Sequence, residues 1–341
     1  MPIIQQLIVD QYGAFVGKHS QRLQVKVKGE KTVQAPLLHL EQVLITGRGV
    51  SLSAEAIRAC CQEGIPIHFV SGSGKPYAGL YAAGLTGTVQ TRRAQLLAYE
   101  DGRGLALAKA FASGKIENQS RLLKYTAKYR KETDPPLYEQ LRLAAQEVLD
   151  HQEELQQLQA ERVDEVRLQI LAAEGRAARR YWDALKLMVP EQYDWPGRRR
   201  RGAKDPLNAA LNYGYGILYG QIERAVILAG LDPFGGFIHA DRPGKPSLVL
   251  DLIEEFRAPV VDRTVLGLAN KRTKLAQDEK GLLTLETRRL LAEKVLARLE
   301  TAERYERKRQ PLRVIVQHQA RHVATFVRGD RAAYKPFLAQ W

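Results

Sequence analysis

The sequence predicts an α+β protein in which a strand-rich N-terminal domain, residues 1–86, precedes a larger all-α domain, residues 87–341. Apolar and polar residues alternate through QQLIVDQYGAFVGK, QRLQVKVKGEKTVQAP and HLEQVLITGRGVSLS, punctuated by Gly and Pro, as meandering strands require. Near Gly87 the alternation stops, and long stretches rich in Leu, Ala, Glu, Arg and Gln take over with helical spacing. A chain of 341 residues is long enough for two separate cores.

Within the first domain one helix is expected over 54–62. IPIHFVSGSGKPYAGLYAAG reads as two strands around a glycine-rich turn. SGSGKP is no phosphate-binding loop: GxxxxGK is absent, and proline follows Lys75 where Ser or Thr is needed. His68 alternates into an apolar strand, as a half-buried, satisfied histidine would. Beyond Gly87, TRRAQLLAYE, NQSRLLKYTAKYRKE and LYEQLRLAAQEVLDHQEELQQL are helical, the last two separated at Asp134-Pro135-Pro136. A long helix opens at Asp205-Pro206 and closes at Gly230; its Tyr213, Tyr215 and Tyr219 read as core packing first, and as phenols presented to a neighbouring site second. Further helices are expected over 284–309 and along PLRVIVQHQARHVATFVRG. The latter places His318 and His322 four apart, but without an HExxH glutamate or a third ligand that spacing does not make a zinc site.

The composition is that of a folded globular chain, with 45% hydrophobic and 26% charged residues. The formal net charge is +14; residues 1–86 carry 8 Lys/Arg against 5 Asp/Glu, a net of +3 that leaves +11 for the rest. Such an excess suggests a polyanionic partner, nucleic acid before an acidic membrane surface. Arg198, Arg199, Arg200 and Arg201, with Lys204 just beyond, are the best local candidates for phosphate contact. Cys60 and Cys61 are adjacent, which disfavours a disulfide between them and fits a reducing cytoplasm. MPIIQQLIVD carries no basic n-region or cleavage pattern and no apolar run reaches bilayer length, so neither secretion nor membrane spanning is expected.

Two stretches carry candidate chemistry. In LAAEGRAARRYW, Glu174 sits in the helical stripe Ile170, Ala177, Ala178, Tyr181 and Leu185. A carboxylate on an inward stripe costs several kcal/mol if unpaired, so either an arginine (Arg176 or Arg179) or a metal should compensate it. In GGFIHADRPGKPSLVLDLIEEFRAPVV, a glycine- and proline-bounded loop presents His239. A short helix follows, with Ser247 as its expected N-cap and Pro259 as its end. Leu248, Val249, Leu252, Ile253 and Phe256 share one flank of that helix, and Asp251, Glu254 and Glu255 cluster on the other. An imidazole and carboxylates brought together from these stretches can make a divalent-metal site.

EGRAARRYW, DPLNAALNYGYGIL, LDPFGGFIH and SLVLDLIEEFRAPVVDR, in that order and spacing, resemble the CRISPR-adaptation integrase family, the first of the CRISPR-associated proteins. ITGRGVSLSAEAIRACCQEGIPIHFVSGSGKPYAGL resembles that family's strand-rich domain and GDRAAYKPF its C-terminal helix, so the likeness spans nearly the whole chain. The resemblance implies a divalent ion, Mg²⁺ or Mn²⁺, held by Glu174, His239 and Glu254, with Asp251 adjacent. Glu255 departs from the family pattern and adds a second candidate carboxylate; Arg257-Ala258-Pro259 departs from the commoner Arg-Pro. The resemblance further implies double-stranded DNA as substrate, a small second CRISPR-associated protein as partner, and a homodimer formed through the strand-rich domain.

The implied chemistry is spacer acquisition: a 3′-hydroxyl of the incoming DNA attacks a phosphodiester and inserts short duplex DNA into a repeat array, alongside endonuclease activity. Transesterification conserves the number of phosphodiester bonds, which agrees with the lack of a nucleotide-binding loop. Two carboxylates and an imidazole suit a hard divalent ion, the histidine tilting the set toward Mn²⁺. The competing expectations are a metal-dependent branched-DNA nuclease or transposon-encoded integrase, and a non-catalytic DNA-binding scaffold whose buried charges form only a salt-bridge network.

Overall fold

A computed structural model describes residues 6–30, 32–81, 89–199, 204–239 and 242–341. The first unit contains β1 (Gln6–Val9), β2 (Phe15–His19), β3 (Arg22–Lys26), β4 (Val33–Pro36), β5 (Gln42–Ile45), β6 (Ser51–Leu52), α1 (Ala54–Gln62), β7 (Ile67–Val70) and β8 (Pro76–Leu80). They form two four-stranded sheets, ordered β1-β5-β7-β8 and β4-β3-β2-β6. Only part of this is the expected meander. β2, β3 and β4 are antiparallel neighbours, but β1, β5 and β7 run parallel, so α1 serves as the crossover between β5 and β7. Ser53 caps α1 by accepting from the Ala56 amide, which fixes the helix start where the sequence placed it. One cluster of buried apolar side chains, from Leu7 to Ile67, lies wholly within this unit.

The second unit is helical: α2 (Val89–Tyr99), α3 (Gly102–Ala127), α4 (Pro135–Gln157), α5 (Val163–Lys186), α6 (Pro206–Leu228), α7 (Ser247–Leu252), α8 (Glu254–Phe256), α9 (Arg263–Asn270) and α10 (Leu285–Glu300). A hairpin, β9 (Ala302–Tyr305) and β10 (Lys308–Pro311), then leads into α11 (Leu312–Val327). Asp101, Asp134 and Asp205 each accept an amide of the first turn of α3, α4 and α6, and Pro opens the last two. α3, α4 and α5 pack together in the larger core cluster, which also receives Leu44 and Val70 from the strands.

Five expectations are corrected. GDRAAYKPF, residues 329–337, follows α11 without regular secondary structure where a helix was expected. α3 starts at Gly102, well before the NQSRL segment, so Lys115 belongs to it. The helix expected over 284–309 stops at Glu300. The hairpin that follows turns on Glu306 and Arg307 with φ of 45° and 67°, a geometry usually announced by Gly or Asn, so no turn signal was present. Ser247 is not an N-cap: Pro246 holds that position, and the Ser247 hydroxyl donates to the Lys245 carbonyl instead. Nor does Pro259 end the helix. The chain passes through it in a turn of π-helix over Arg257–Asp262, which accommodates the missing N–H, and the Pro259 carbonyl accepts from Arg298.

The strands are clamped on α6. Gly74, at φ +79°, tips the β7–β8 turn against Gly216, where an added Cβ would lie 1.7 Å from the Gly74 carbonyl oxygen. His68, more deeply buried than expected, packs against Gly220 and lies 3.7 Å from Glu223, which also accepts from the Tyr81 hydroxyl at 2.6 Å. Burial, with Arg224 nearby, pushes the imidazole down to about 4, so it stays neutral. Arg289 of α10 grips Asp10 at the end of β1. Cys60 and Cys61 are free thiols. No helix of the described residues is long and apolar enough to cross a membrane.

The Gly74–Gly216 approach gives a sign-reversed prediction. Ala normally stabilises a helix interior over Gly, and Gly175→Ala in α5, where an added Cβ meets nothing within 4 Å, should gain about 0.5–1 kcal/mol. Gly216→Ala should instead lose about 2 kcal/mol or more, because backbone must move. Denaturant unfolding of both variants checks it; a neutral Gly216→Ala refutes the tight approach.

Candidate active site

The helical unit brings together residues from three separated stretches. Glu174 projects from α5, Glu254 from α8, and between them stands Lys115 of α3. All three are buried, at 7%, 3% and 4% exposure. The Lys115 ammonium pairs with Glu174 Oε1 and lies 2.7 Å from Glu254 Oε2, while Arg257 holds Glu254 Oε1 at 2.9 Å. The compensating cation for Glu174 is therefore Lys115, and neither expected arginine fills that role; Arg176 pairs with Glu154 instead. Burial alone raises the Glu254 carboxyl. Arg257 and Lys115 outweigh it and hold the group well below the usual carboxylate range, so it is ionised.

His239 is fixed by Asp251, which is fully buried in α7. One Asp251 oxygen accepts from the Phe237 and Ile238 amides at 2.5 and 3.0 Å. The other accepts from the His239 amide at 3.0 Å and contacts its Nδ1 at 2.7 Å. A carboxylate at Nδ1 places the ring proton there and leaves the Nε2 lone pair as the available ligand atom. The loop is anchored from its other side by Gln95 of α2, buried at 1%, which binds the Asp232 and Gly235 carbonyls and the Asp232 amide. Gly236 is required there, since a Cβ would come within 2.5 Å of Ser247.

Not every expected residue faces this centre. Both Asp251 oxygens are occupied by the loop, so Asp251 holds the histidine and is not arranged as a direct ligand. Glu255 points the opposite way, accepting from the Tyr334 hydroxyl, the Phe337 amide and Gln319. Arg198 is turned inward: it binds Asn208 and Asn212 and stacks on Trp182 and Tyr215. Arg199 and Lys204 are exposed, and Arg200 and Arg201 lie outside the described residues. Tyr215 goes beyond core packing. Its hydroxyl and that of Tyr181 bind Asp262, whose carboxyl burial pushes up to about 6, and its ring lies 4.6 Å beneath Arg257. His318 and His322 flank Tyr305, and the Tyr305 hydroxyl contacts His322 Nδ1 at 3.0 Å.

Lys115 is the residue that sequence reasoning missed. It occupies the buried stripe Ala108, Phe111, Ala112, Gln119 and Leu122 of α3, the mirror image of Glu174 on its own stripe. A lysine on an inward face was the available signal, hidden because the helix was expected to start beyond it.

A sequence profile described as "CRISPR associated protein Cas1" matches residues 7–300. The chain belongs to the Cas1 family. It is 39% identical over 346 residues to CRISPR-associated endonuclease Cas1 1 of Archaeoglobus fulgidus, covering 98% of this chain and 99% of the relative. Among solved structures it resembles a casposase bound to integration product (TM-score 0.81, 23% identity, 97% of this chain and 93% of the other). It also resembles a chain of a Cas6-RT-Cas1–Cas2 complex (TM-score 0.79, 20% identity), spanning 99% of itself but 37% of that longer chain. Those two likenesses concern the fold. As a Cas1 protein the chain is an enzyme of the nuclease and integrase class, with the spacer-acquisition function of its family.

Glu255 supplies a pH test. Burial raises its carboxyl to about 7 against the donors Tyr334, Phe337 and Gln319. Between the unfolded value of 4.5 and about 7 the folded state keeps a proton that the unfolded chain has lost. Folding stability from this group therefore falls as pH rises through that window. Glu255→Gln should gain stability relative to the parent between about pH 5 and about pH 7.5 in urea unfolding. A constant difference would place the proton elsewhere.

Proposed function

We propose that this Cas1 protein joins DNA by transesterification at a divalent-metal centre built from Glu174, His239 and Glu254, inserting short double-stranded DNA into a repeat array. The observation that carries the reading is the convergence of two buried, oppositely placed glutamates on a single cation beside a histidine whose ring is pre-set by a buried aspartate. Among the described residues, no three His, Cys, Asp or Glu side chains already stand close enough to hold an ion, because Lys115 occupies the space between the glutamates. The donors nevertheless fit in kind. Glu254 Oε2 is buried against the Lys115 ammonium at 2.7 Å, so withdrawal of that ammonium would free a hard oxygen for an ion. Two carboxylates and a neutral imidazole suit Mg²⁺ or Mn²⁺, which supplies charge stabilisation at the phosphorus and activation of the attacking hydroxyl.

The protein's own groups supply orientation. Asp251 keeps His239 in the tautomer with Nε2 unprotonated, and Arg257 keeps Glu254 ionised while its guanidinium rests on Tyr215. Exposed Arg199 and Lys204 contact DNA phosphates; Arg198 instead braces the start of α6. The partner is the small second CRISPR-associated protein, a reading supported by the likeness to a Cas1–Cas2 assembly. Self-association uses the strand-rich unit, where Tyr12, Leu38 and Tyr77 expose large apolar surface. The protein acts in the cytoplasm, as its free thiols suit.

The decisive experiment is an integration assay with a supercoiled plasmid bearing the cognate repeat, short duplex DNA and Mn²⁺, with and without the partner. Glu174→Ala, His239→Ala and Glu254→Ala should each lower joining at least about a hundredfold while retaining DNA binding. Near-normal joining by a folded single variant removes that residue from the site. Absence of metal-dependent joining by the wild-type protein would leave the non-catalytic scaffold, its charges a salt-bridge network. Arg199→Ala and Lys204→Ala should each reduce the log–log salt slope of duplex binding by about 0.9 for every phosphate the side chain neutralises; an unchanged slope assigns them to ordinary surface.

A further inference from the structure

Lys115 sits where the two glutamates of the proposed centre would share an ion. Its ammonium pairs with Glu174 Oε1 and comes within 2.7 Å of Glu254 Oε2, all three side chains being at most 10% exposed. The four side chains in contact, Lys115, Arg257, Glu174 and Glu254, sum to zero formal charge. A divalent ion such as Mg²⁺ in the same place would bind carboxylate oxygens at about 2.0–2.1 Å, so it cannot coexist with an ammonium shared by the same two groups.

The lysine backbone has no room to withdraw. A Cβ at the preceding Gly114 would lie 2.7 Å from Pro336 and 3.2 Å from Glu255. One turn on, Asn118 donates to the Glu255 and Phe337 carbonyls at 2.8 Å and accepts from the Ala339 amide at 2.9 Å. The C-terminal segment thus pins α3 on both sides of Lys115, and only the side-chain torsions are left to move.

We propose that Lys115 is a built-in counter-cation that competes with the divalent ion for Glu174 and Glu254, and that this competition makes ion binding depend on DNA. The proposal rests on the metal centre argued above. Without DNA, adding a divalent ion to a neutral buried cluster leaves two positive charges uncompensated unless Lys115 swings away, so affinity is weak. DNA phosphate brings negative charge to the site and gives the displaced ammonium a new partner. Ion and DNA then favour each other's binding by the same factor, as linkage requires. Removing the lysine charge leaves the cluster at −1, which favours the ion in the absence of DNA.

The test is Mn²⁺ titration, followed by the electron paramagnetic resonance of the free ion, on the full-length protein with and without short duplex DNA. Wild type should bind Mn²⁺ at least about tenfold more tightly with DNA than without it. Lys115→Met should bind at least about tenfold more tightly than wild type without DNA, with a smaller gain from DNA. Its thermal midpoint should be depressed in metal-free buffer and restored by Mn²⁺. If Lys115→Met does not fold without Mn²⁺, Lys115→Gln is measured the same way. Equal Mn²⁺ affinity in the lysine variant and wild type, with binding abolished in His239→Ala, overturns the competition and leaves the metal centre standing; so does a drop in thermal stability that Mn²⁺ does not restore. Wild-type-like Mn²⁺ binding by His239→Ala together with Glu254→Ala removes the metal centre and this proposal with it.

Discussion

Two carboxylates meeting inside the helical core are the constraint on which the rest of the structure depends. Glu174 and Glu254 are ionisable groups removed from water, and either one left unpaired would cost about 3–5 kcal/mol, a large part of a domain's stability. Lys115 and Arg257 make the burial tolerable. The remedy has an architectural consequence. α3, α5 and α8 must be in register to within the reach of one lysine, and the C-terminal segment enforces this from behind. Phe337 stacks on Phe256 at 5.2 Å, while Asn118 and Glu255 take up the backbone groups of that segment.

Adjacent residues on the short helix are divided between these tasks. Glu254 faces Lys115 and Arg257, whereas Glu255 faces Tyr334, Gln319 and the Phe337 amide. Both are buried, but their surroundings drive them in opposite directions: cations keep Glu254 ionised, whereas burial raises Glu255 to about 7 against donors that are all neutral. Asp251, one turn earlier, gathers three amides and an imidazole on its two oxygens. The acidic cluster of DLIEE is therefore three different devices: a loop anchor, a charged face toward the centre, and a strut to the C-terminal segment.

The sequence made the large divisions legible because they rest on local pattern. Alternating stretches fell among the strands and Leu/Ala-rich stretches among the helices, and two Asp-Pro pairs announced helix starts that tertiary packing left in place. Glu174 was detectable as a charge on an apolar stripe. What local pattern cannot carry is the partner's identity: Lys115 lies 59 residues away along the chain, and the nearby arginines that looked suitable turn to other acids or to solvent. The roles of Asp251 and Glu255 were hidden for a related reason. A helical wheel gives the side of a helix but not which of its neighbours is a loop amide, a cation or a tyrosine. The hairpin at 302–311 was hidden by turn residues that adopt positive φ without being glycine.

α6 links the two units mechanically. Through Gly216 it lies against the β7–β8 turn so closely that no side chain fits between, and through Gly220 it packs tightly on His68. One residue before Gly216, Tyr215 reaches the other way, beneath Arg257 and onto Asp262, within one residue's reach of Glu254. Gly214 likewise lets Val261 approach the helix, where a Cβ would come within 2.7 Å. Three consecutive residues of one helix thus touch the strand-rich unit, the guanidinium that holds a candidate ligand, and the π-turn that follows it. A close-packed helix transmits displacement because its contacts have no slack to absorb it. A displacement of the strands would therefore have a route to Arg257 through a single rigid element, although the strand-rich unit holds none of the proposed site's residues.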